Sequence, residues 1–335
     1  MPDYIHEPQE DETPKKRRFR LFDTQREGKG VSKEDAKITP DLGGFFRSFK
    51  RNFGKLLSVN LITLVGNFPL LFAILALSGL FKITYMMPLS GYFADLRALM
   101  LLDPVKDPAT MAVYGALGLQ IQNSAMTTTS YVFFGLSALT FLTFGFTKVG
   151  TTYILRSMIR GEPTFMLADF RHAVKTNKKQ AFLIGFLDLA LLLLAPTNIL
   201  ILVESAGGFF NSILLWTNII LAVVYFFMRP YIYLQIITFD LGIFKILKNA
   251  LIFSLLGFKR NILAFLGFLI LILLMVALIF GLGGALLPLG LAIPLVLLFS
   301  LGSFMGDFAA WFKIKEIMID PQTDPVSEDA AENEE

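Results

Sequence analysis

Long stretches of the chain carry no charge, and short charged segments separate them. Residues 56–80 read LLSVNLITLVGNFPLLFAILALSGL, enough helix to cross a hydrocarbon core of about 30 Å at about 1.5 Å per residue. Residues 127–147 form a second run, with helix expected to continue to about Leu155. Residues 180–203 form a third, interrupted only by Asp188, and 205–228 a fourth. Between Arg260 and Asp307 lie 46 uncharged residues, about 69 Å as a single helix. That segment must fold back, and GLGG at 281–284 with Pro288 supplies the turn. The pattern predicts an all-α membrane protein, a six-helix transmembrane bundle with spans at about 56–80, 127–155, 180–203, 205–228, 261–281 and 285–306. A five-span alternative makes 281–306 re-entrant. The connection 81–126 is an external loop, with 92–101 and 109–119 as candidate short helices.

Three segments beside these spans have helical amphipathic spacing and are expected to lie at the cytoplasmic interface. In 42–57, Leu42, Phe45, Phe46, Phe49, Phe53, Leu56 and Leu57 share one face, and Arg47, Lys50, Arg51 and Lys55 fall opposite. That is the pattern of a helix in the headgroup plane, its bases drawn to anionic lipid at about 1 kcal/mol each. Residues 163–178 open with Pro163 in the first turn and put Met166, Phe170, Ala173 and Val174 on one side. Residues 240–258 open with Asp240 as N-cap and carry the stripe Phe244, Leu247, Leu251, Leu255 and Phe258.

Charge placement orients the bundle. Of 30 Lys and Arg residues, 27 become cytoplasmic if the N-terminus is inside and the spans number six. Both termini are then cytoplasmic, flanked by a polar tail at 1–41 and an acidic one at 320–335, both expected to be disordered. No apolar run precedes residue 41, so no cleavable leader is expected. Composition agrees with a membrane class. Hydrophobic residues make up 54%, charged residues 17%, and mean hydropathy is +0.61, beyond what a soluble globule of 335 residues could bury. A net charge of +3 argues against nucleic acid as a partner. The chain has no Cys and only two His, His6 and His172. With no HExxH, GxSxG or Walker-type loop, no metal, cofactor or enzymatic activity is expected.

Polar residues inside the spans are the candidate site. An Asp at a helix centre costs about 2.5–3.5 kcal/mol on insertion scales, so Asp188 faces protein or water. It reads either as a substrate or coupling carboxylate or as a packing residue paired with Asn, Ser, Tyr or Arg229. Asn60, Asn67, Asn198 and Asn218 read as interhelical hydrogen-bonding residues, and Pro69, Pro196 and Pro294 as kinks. Phe-Lys-Arg-Asn occurs at 49–52 and again at 258–261, each before an outward helix, which shared positive-inside selection explains.

Three blocks carry a likeness: FFRSFKRNFGKLLSVNLITLVGNFPLL at 45–71, a second block over 149–192 containing ILRSMIRGEPTFMLADF, and a third over 229–263 containing RPYIYLQIITFDLGIFKILKNA. They cover about a third of the chain, which thereby resembles the YesL-like family of bacterial integral membrane proteins. The long 81–130 connection and the long N-terminal tail depart from that family. The resemblance implies no catalytic residues. It implies a multi-pass protein of the cell membrane, an accessory or permease-like component associated with carbohydrate ABC-type uptake. ABC transporter subunits are then expected partners, alongside the bilayer. Arg156, Arg160, Glu162, Asp169, Phe170, Asp240, Lys248 and Asn249 are the docking candidates on the cytoplasmic side. The alternatives are a stand-alone transporter or channel that uses Asp188, and a structural membrane protein.

Overall fold

The computed structural model describes residues 38–88, 108, 120–205, 207–282 and 286–323. The expected helices at 92–101 and 109–119 and most of both expected tails lie outside these residues. Helix α1 spans Leu42–Gly66 and starts where Asp41 accepts a hydrogen bond from the Gly44 amide at 3.0 Å. It stops before Pro69, whose ring nitrogen cannot donate, and α2 (Leu70–Leu77) leaves at 68° to it. The run 56–80 is therefore a bent pair and not one straight span. An antiparallel hairpin follows, β1 (Lys82–Pro88) on β2 (Gln120–Met126), with Lys82 opposite Met126. Thr127 and Ser130 donate their hydroxyls to the Phe81 carbonyl at 2.6 and 3.2 Å, tying the hairpin base to the next helix.

Helices α3 (Thr128–Ser137) and α4 (Thr140–Arg160) form a nearly continuous rod. It ends at Gly161, whose φ of 76° suits a residue without Cβ, and the Glu162 amide returns to the Ser157 carbonyl at 2.9 Å. Then come α5 (Met166–Thr176), α6 (Lys178–Glu204), α7 (Phe209–Thr238), α8 (Ile243–Leu256), α9 (Phe258–Gly281) and α10 (Leu287–Ile314). A π-helical turn at Lys315–Ile319 and the short α11 (Asp320–Thr323) close the described chain. Among the described residues five helices are long and apolar enough to cross a membrane, or six if the bent α1–α2 pair is one span. The chain is an α-helical, multi-pass membrane protein.

The packed core sits toward one end of the bundle. Val149–Ile159 of α4, Tyr231–Ile236 of α7, Ile246–Phe253 of α8 and Phe304–Ile314 of α10 supply most of it. Elsewhere α6, α7 and α9 expose Leu, Ile, Val and Phe, among them Leu194, Leu200, Leu214, Leu221 and Leu273. Water would oppose such a surface at about 25 cal/mol per Å²; lipid does not.

The two amphipathic stripes turn only partly outward, since Leu56 is buried and Phe45 packs on Phe304 and Phe308. In α1 the buried face is Gly44, Ser48, Asn52, Leu56, Val59 and Asn60, while Leu42, Phe46 and Phe53 are exposed. Helix α8 buries Ile246, Ala250, Phe253 and Ser254 and exposes Phe244, Leu251 and Leu255. Small and polar residues let helix backbones approach closely, and apolar side chains lose nothing by facing acyl chains. Two expected helix starts also move. Asp240 does not cap α8, which begins after Gly242 without a side-chain cap, and Pro163 precedes α5 altogether.

Candidate functional site

Small residues set up the site. Gly145 of α4 lies so close to α6 that a Cβ there would stand 1.9 Å from the Ala181 carbonyl and 2.7 Å from Gly185 Cα. Ala181 and Gly185, four residues apart, make the small-xxx-small surface that permits this crossing. One turn further along each helix come Lys148 and Asp188. At a second crossing a Cβ on Gly306 of α10 would stand 2.9 Å from Cγ of Pro230 in α7, and the neighbours of that pair are Asp307 and Arg229. From Lys148 to Arg160, Asp188 to Lys178, Arg229 to Thr238 and Asp307 to Ile314 is in each case about 10–18 Å of helix. Two carboxylates and two bases from four helices thus occupy one layer of the bundle.

Asp188 is fully buried and all its acceptor capacity is taken. Arg229 donates Nε to Oδ1 at 2.7 Å and Nη2 to Oδ2 at 3.0 Å, the planar two-toothed pairing of guanidinium with carboxylate. Tyr225 donates its hydroxyl to Oδ1 at 2.8 Å and Tyr233 to Oδ2 at 2.6 Å. A carboxylate offers about four lone-pair positions, and four donors fill them. Tyr233 also joins the pair to the second half of the layer, since Lys148 Nζ stands 5.9 Å from its ring centroid. Lys148 donates to Ser303 Oγ at 2.8 Å. Asp307 is 1% exposed and its Oδ2 has no hydrogen-bond partner. The two carboxylates of the layer therefore differ completely: one is saturated and the other holds an unpartnered oxygen.

Of the other intramembrane candidates, Asn67 and Asn218 do not bridge helices. Each gives its amide to the carbonyl four residues back in its own helix, Thr63 at 2.9 Å and Leu214 at 3.0 Å. Asn198 is exposed. Asn60 does bridge: its Oδ1 accepts from the Ser300 amide at 3.0 Å and its Nδ2 donates to the Leu295 carbonyl, hooking α1 to α10 just past Pro294. Asn261, the second Asn of the repeated tetrapeptide, accepts from Tyr231 at 3.0 Å and donates to the Ser254 carbonyl at 2.8 Å.

Three docking candidates are used inside the fold. Arg156 is 7% exposed. Its Nη1 donates to the Ile237 carbonyl at 2.8 Å and to Thr238 Oγ1 at 3.1 Å, and its guanidinium stacks over Tyr153. It caps the C-terminus of α7, where a helix carries partial negative charge, and does not face outward. Asp169 accepts from the Phe165 amide at 2.7 Å and so starts α5. The Phe170 ring fills the space beside Gly150 that a Cβ would need. Arg160 and Glu162 pair with each other at 2.8 Å and stay partly exposed, Arg160 also lying over Trp311. Asp240 and Lys248 are exposed and Asn249 is half-buried. Arg47, Lys50 and Arg51 are exposed and Lys55 half-exposed, on the α1 face away from the core.

Sequence reasoning missed Lys148, Asp307, Tyr225 and Tyr233. Lys148 was grouped with the inner bases and Asp307 taken as the end of an uncharged run. The available signal was helix length, because α4 runs on to Arg160 and α10 to Ile314. Among the described residues no three His, Cys, Asp or Glu side chains converge as metal ligands would. Compared with family models, curated proteins and solved structures, the chain shows no match to any of the three.

Proposed function

We propose that this chain is a non-enzymatic accessory protein of the cell membrane, with six spans and both termini in the cytoplasm, that assists carbohydrate uptake by an ABC-type transporter. The observation that carries this reading is the saturation of Asp188. A carboxylate that holds four donors from Arg229, Tyr225 and Tyr233 has no lone pair left for a solute, which disfavours a transporter built on that residue. The resemblance to the YesL-like family supports the uptake context. The bent α1–α2 pair counts as the first span, and the inner bases, 25 of 30 without the enclosed Lys148 and Arg229, support the orientation.

The surface offered to a transporter is the part of α5 and α8 at the cytoplasmic membrane interface. Phe165 and Leu167 are 69% and 62% exposed and Phe244 is 88% exposed, with Arg160, Glu162, Asp240 and Lys248 nearby in the chain. The test is co-purification from native membranes in mild detergent. Transporter subunits should accompany the wild-type chain and be lost from Phe244→Glu. Recovery of the chain alone, unchanged when the transporter is deleted, would sink the proposal. Because the chain has no Cys, orientation can be read from single replacements. Lys50→Cys and Lys248→Cys should react with an impermeant maleimide only in inverted vesicles, and Thr84→Cys only in intact cells.

A further inference from the structure

Asp188 and Asp307 lie in the same layer and meet opposite treatment. Four donors hold Asp188, while Asp307, 1% exposed, keeps Oδ2 without a donor. An ionised carboxylate buried without hydrogen bonds is among the least favourable arrangements in a protein interior. Lys148 is the nearest relevant base, yet its ammonium donates to Ser303 Oγ at 2.8 Å and lies over the Tyr233 ring. It forms no ion pair with Asp307 within 4.0 Å among the described residues. More unpartnered polar atoms occur along the same helices. Both amide atoms of Gln235, which is fully buried, lack partners, as does Thr152 Oγ1, also fully buried. Thr152 is one turn beyond Lys148 on α4, and Gln235 is two residues beyond Tyr233 on α7. Both lie toward the end where Arg156 holds the Ile237 carbonyl and Arg160 covers Trp311, so α4, α7 and α10 terminate together there.

We propose that Asp307 is a proton-binding site inside the bundle, with Lys148 as its fixed counter-charge and the proton arriving from the end where α4, α7 and α10 terminate. Uptake forms one O–H bond at Asp307 and takes one proton from water. The layer then passes from zero net charge (Asp188, Asp307, Arg229, Lys148) to one positive charge. Release breaks that bond and restores neutrality. The charged groups that act on Asp307 are Lys148 from α4 and Arg229 from α7, and Arg229 is already bound to Asp188 of α6. Of the other bases on helices packed against α10, Arg260 of α9 meets Glu316 at 3.5 Å. Those of α1 and α8 stand on exposed or half-exposed faces. Gln235 and Thr152 supply donors and acceptors along the approach. The inference does not depend on the accessory role, because it concerns the buried layer and not the outer surface.

The experiment is infrared difference spectroscopy of the full chain in lipid nanodiscs, titrated between about pH 3 and pH 11, the range that brackets ordinary carboxyl and amine ionisation. The wild type should show a protonated-carboxyl stretch that shifts in heavy water, and Asp307→Asn should lose it. Asp307→Glu should keep a displaced band. Lys148→Met removes the positive charge that opposes protonation, so its midpoint should move to higher pH by about one unit or more. If Asp307→Asn does not fold, the Glu and Met variants decide. A band that Asp307→Asn leaves intact, or a midpoint that Lys148→Met leaves in place, overturns the proposal. So does loss of the band on adding sodium at constant pH, which would identify a metal-cation site.

Discussion

Asp188→Asn is the most informative single change in this molecule. It keeps the side chain's size but removes the charge and turns one acceptor into a donor. In the place of Oδ2, Nδ2 would then face two donors, Arg229 Nη2 and the Tyr233 hydroxyl, which now meet Oδ2 at 3.0 and 2.6 Å. Arg229, with its side chain 18% exposed, is left as an uncompensated buried cation. Breaking a buried pair in this way costs about 3–5 kcal/mol. Each tyrosine hydroxyl contributes less: interhelical hydrogen bonds in membrane proteins average about 0.6 kcal/mol and reach about 1.7. Tyr225→Phe and Tyr233→Phe are thus expected to cost about 0.6–1.7 kcal/mol each, and Asp188→Asn clearly more. Removing both charges, Asp188→Leu with Arg229→Met, should restore most of the loss, since an apolar pair of similar volume is close to neutral against a buried ion pair. Equilibrium unfolding in mixed micelles, titrated with a denaturing detergent, measures these four variants and the two singles Asp188→Leu and Arg229→Met. An Asp188→Asn cost no larger than that of Tyr225→Phe would refute the lock, as would a double variant equal to the sum of its singles.

Three further outcomes follow from the geometry. Gly145→Ala drives a Cβ into the Ala181 carbonyl and should cost about 1–3 kcal/mol; Gly135→Ala, with open space around it, should be neutral or gain up to about 1 kcal/mol, and equal effects in the same unfolding assay would contradict the crossing. Arg156→Gln leaves the Ile237 carbonyl without its donor and should cost about 1–3 kcal/mol, with faster amide exchange confined to the last turn of α7; unchanged exchange there would remove its capping role. Hydrogen bonds from Thr39 and from the Gly44 amide hold the exposed Asp41 carboxyl below its usual range, so its support of α1 is complete above the ordinary Asp value of about 3.9 and is lost as pH falls through the lowered one. Protection of the first-turn amides of α1, measured against their intrinsic exchange rates, should fall on acidification, and Asp41→Asn should abolish that change in protection.

The spans were legible because an uncharged run of bilayer length has few other uses. Charge placement, Pro69 and Gly281 marked where helices end. Which face turns inward was not legible. The stripes of α1 and α8 were read as the lipid-facing sides of interfacial helices, but the stripe of α1 divides, with Leu56 buried and Phe45 and Phe49 packed on the core. Here Phe46, Phe53 and Phe244 face out, while Gly44, Ser48, Asn52 and Ala250 face in. In a bilayer the apolar face has two acceptable surroundings and the small polar face has one, so the small and polar residues decide the packing. A reading built on Ser48, Asn52 and Asn60, spaced by four and eight residues, would have found the inner face of α1.

The site was half legible for the same reason. Asp188 stood out because it interrupts an apolar run, and Arg229 entered as its candidate partner. Lys148 and Asp307 did not stand out because each borders a run, and a border charge looks like the start of the aqueous segment. Helix continues beyond both, for about 18 Å to Arg160 and about 11 Å to Ile314, and the core is densest over those extensions, at Ile154, Leu155, Phe304 and Ile314. The edge of an uncharged run is therefore not the edge of the packed interior. Where two helices continue in buried aromatic and aliphatic residues beyond a charge at the border of an apolar run, that charge is enclosed by protein. Enclosure forces the outcome seen in this layer, in which a buried ion is either saturated with donors, as Asp188 is, or left in need of a proton, as we infer for Asp307.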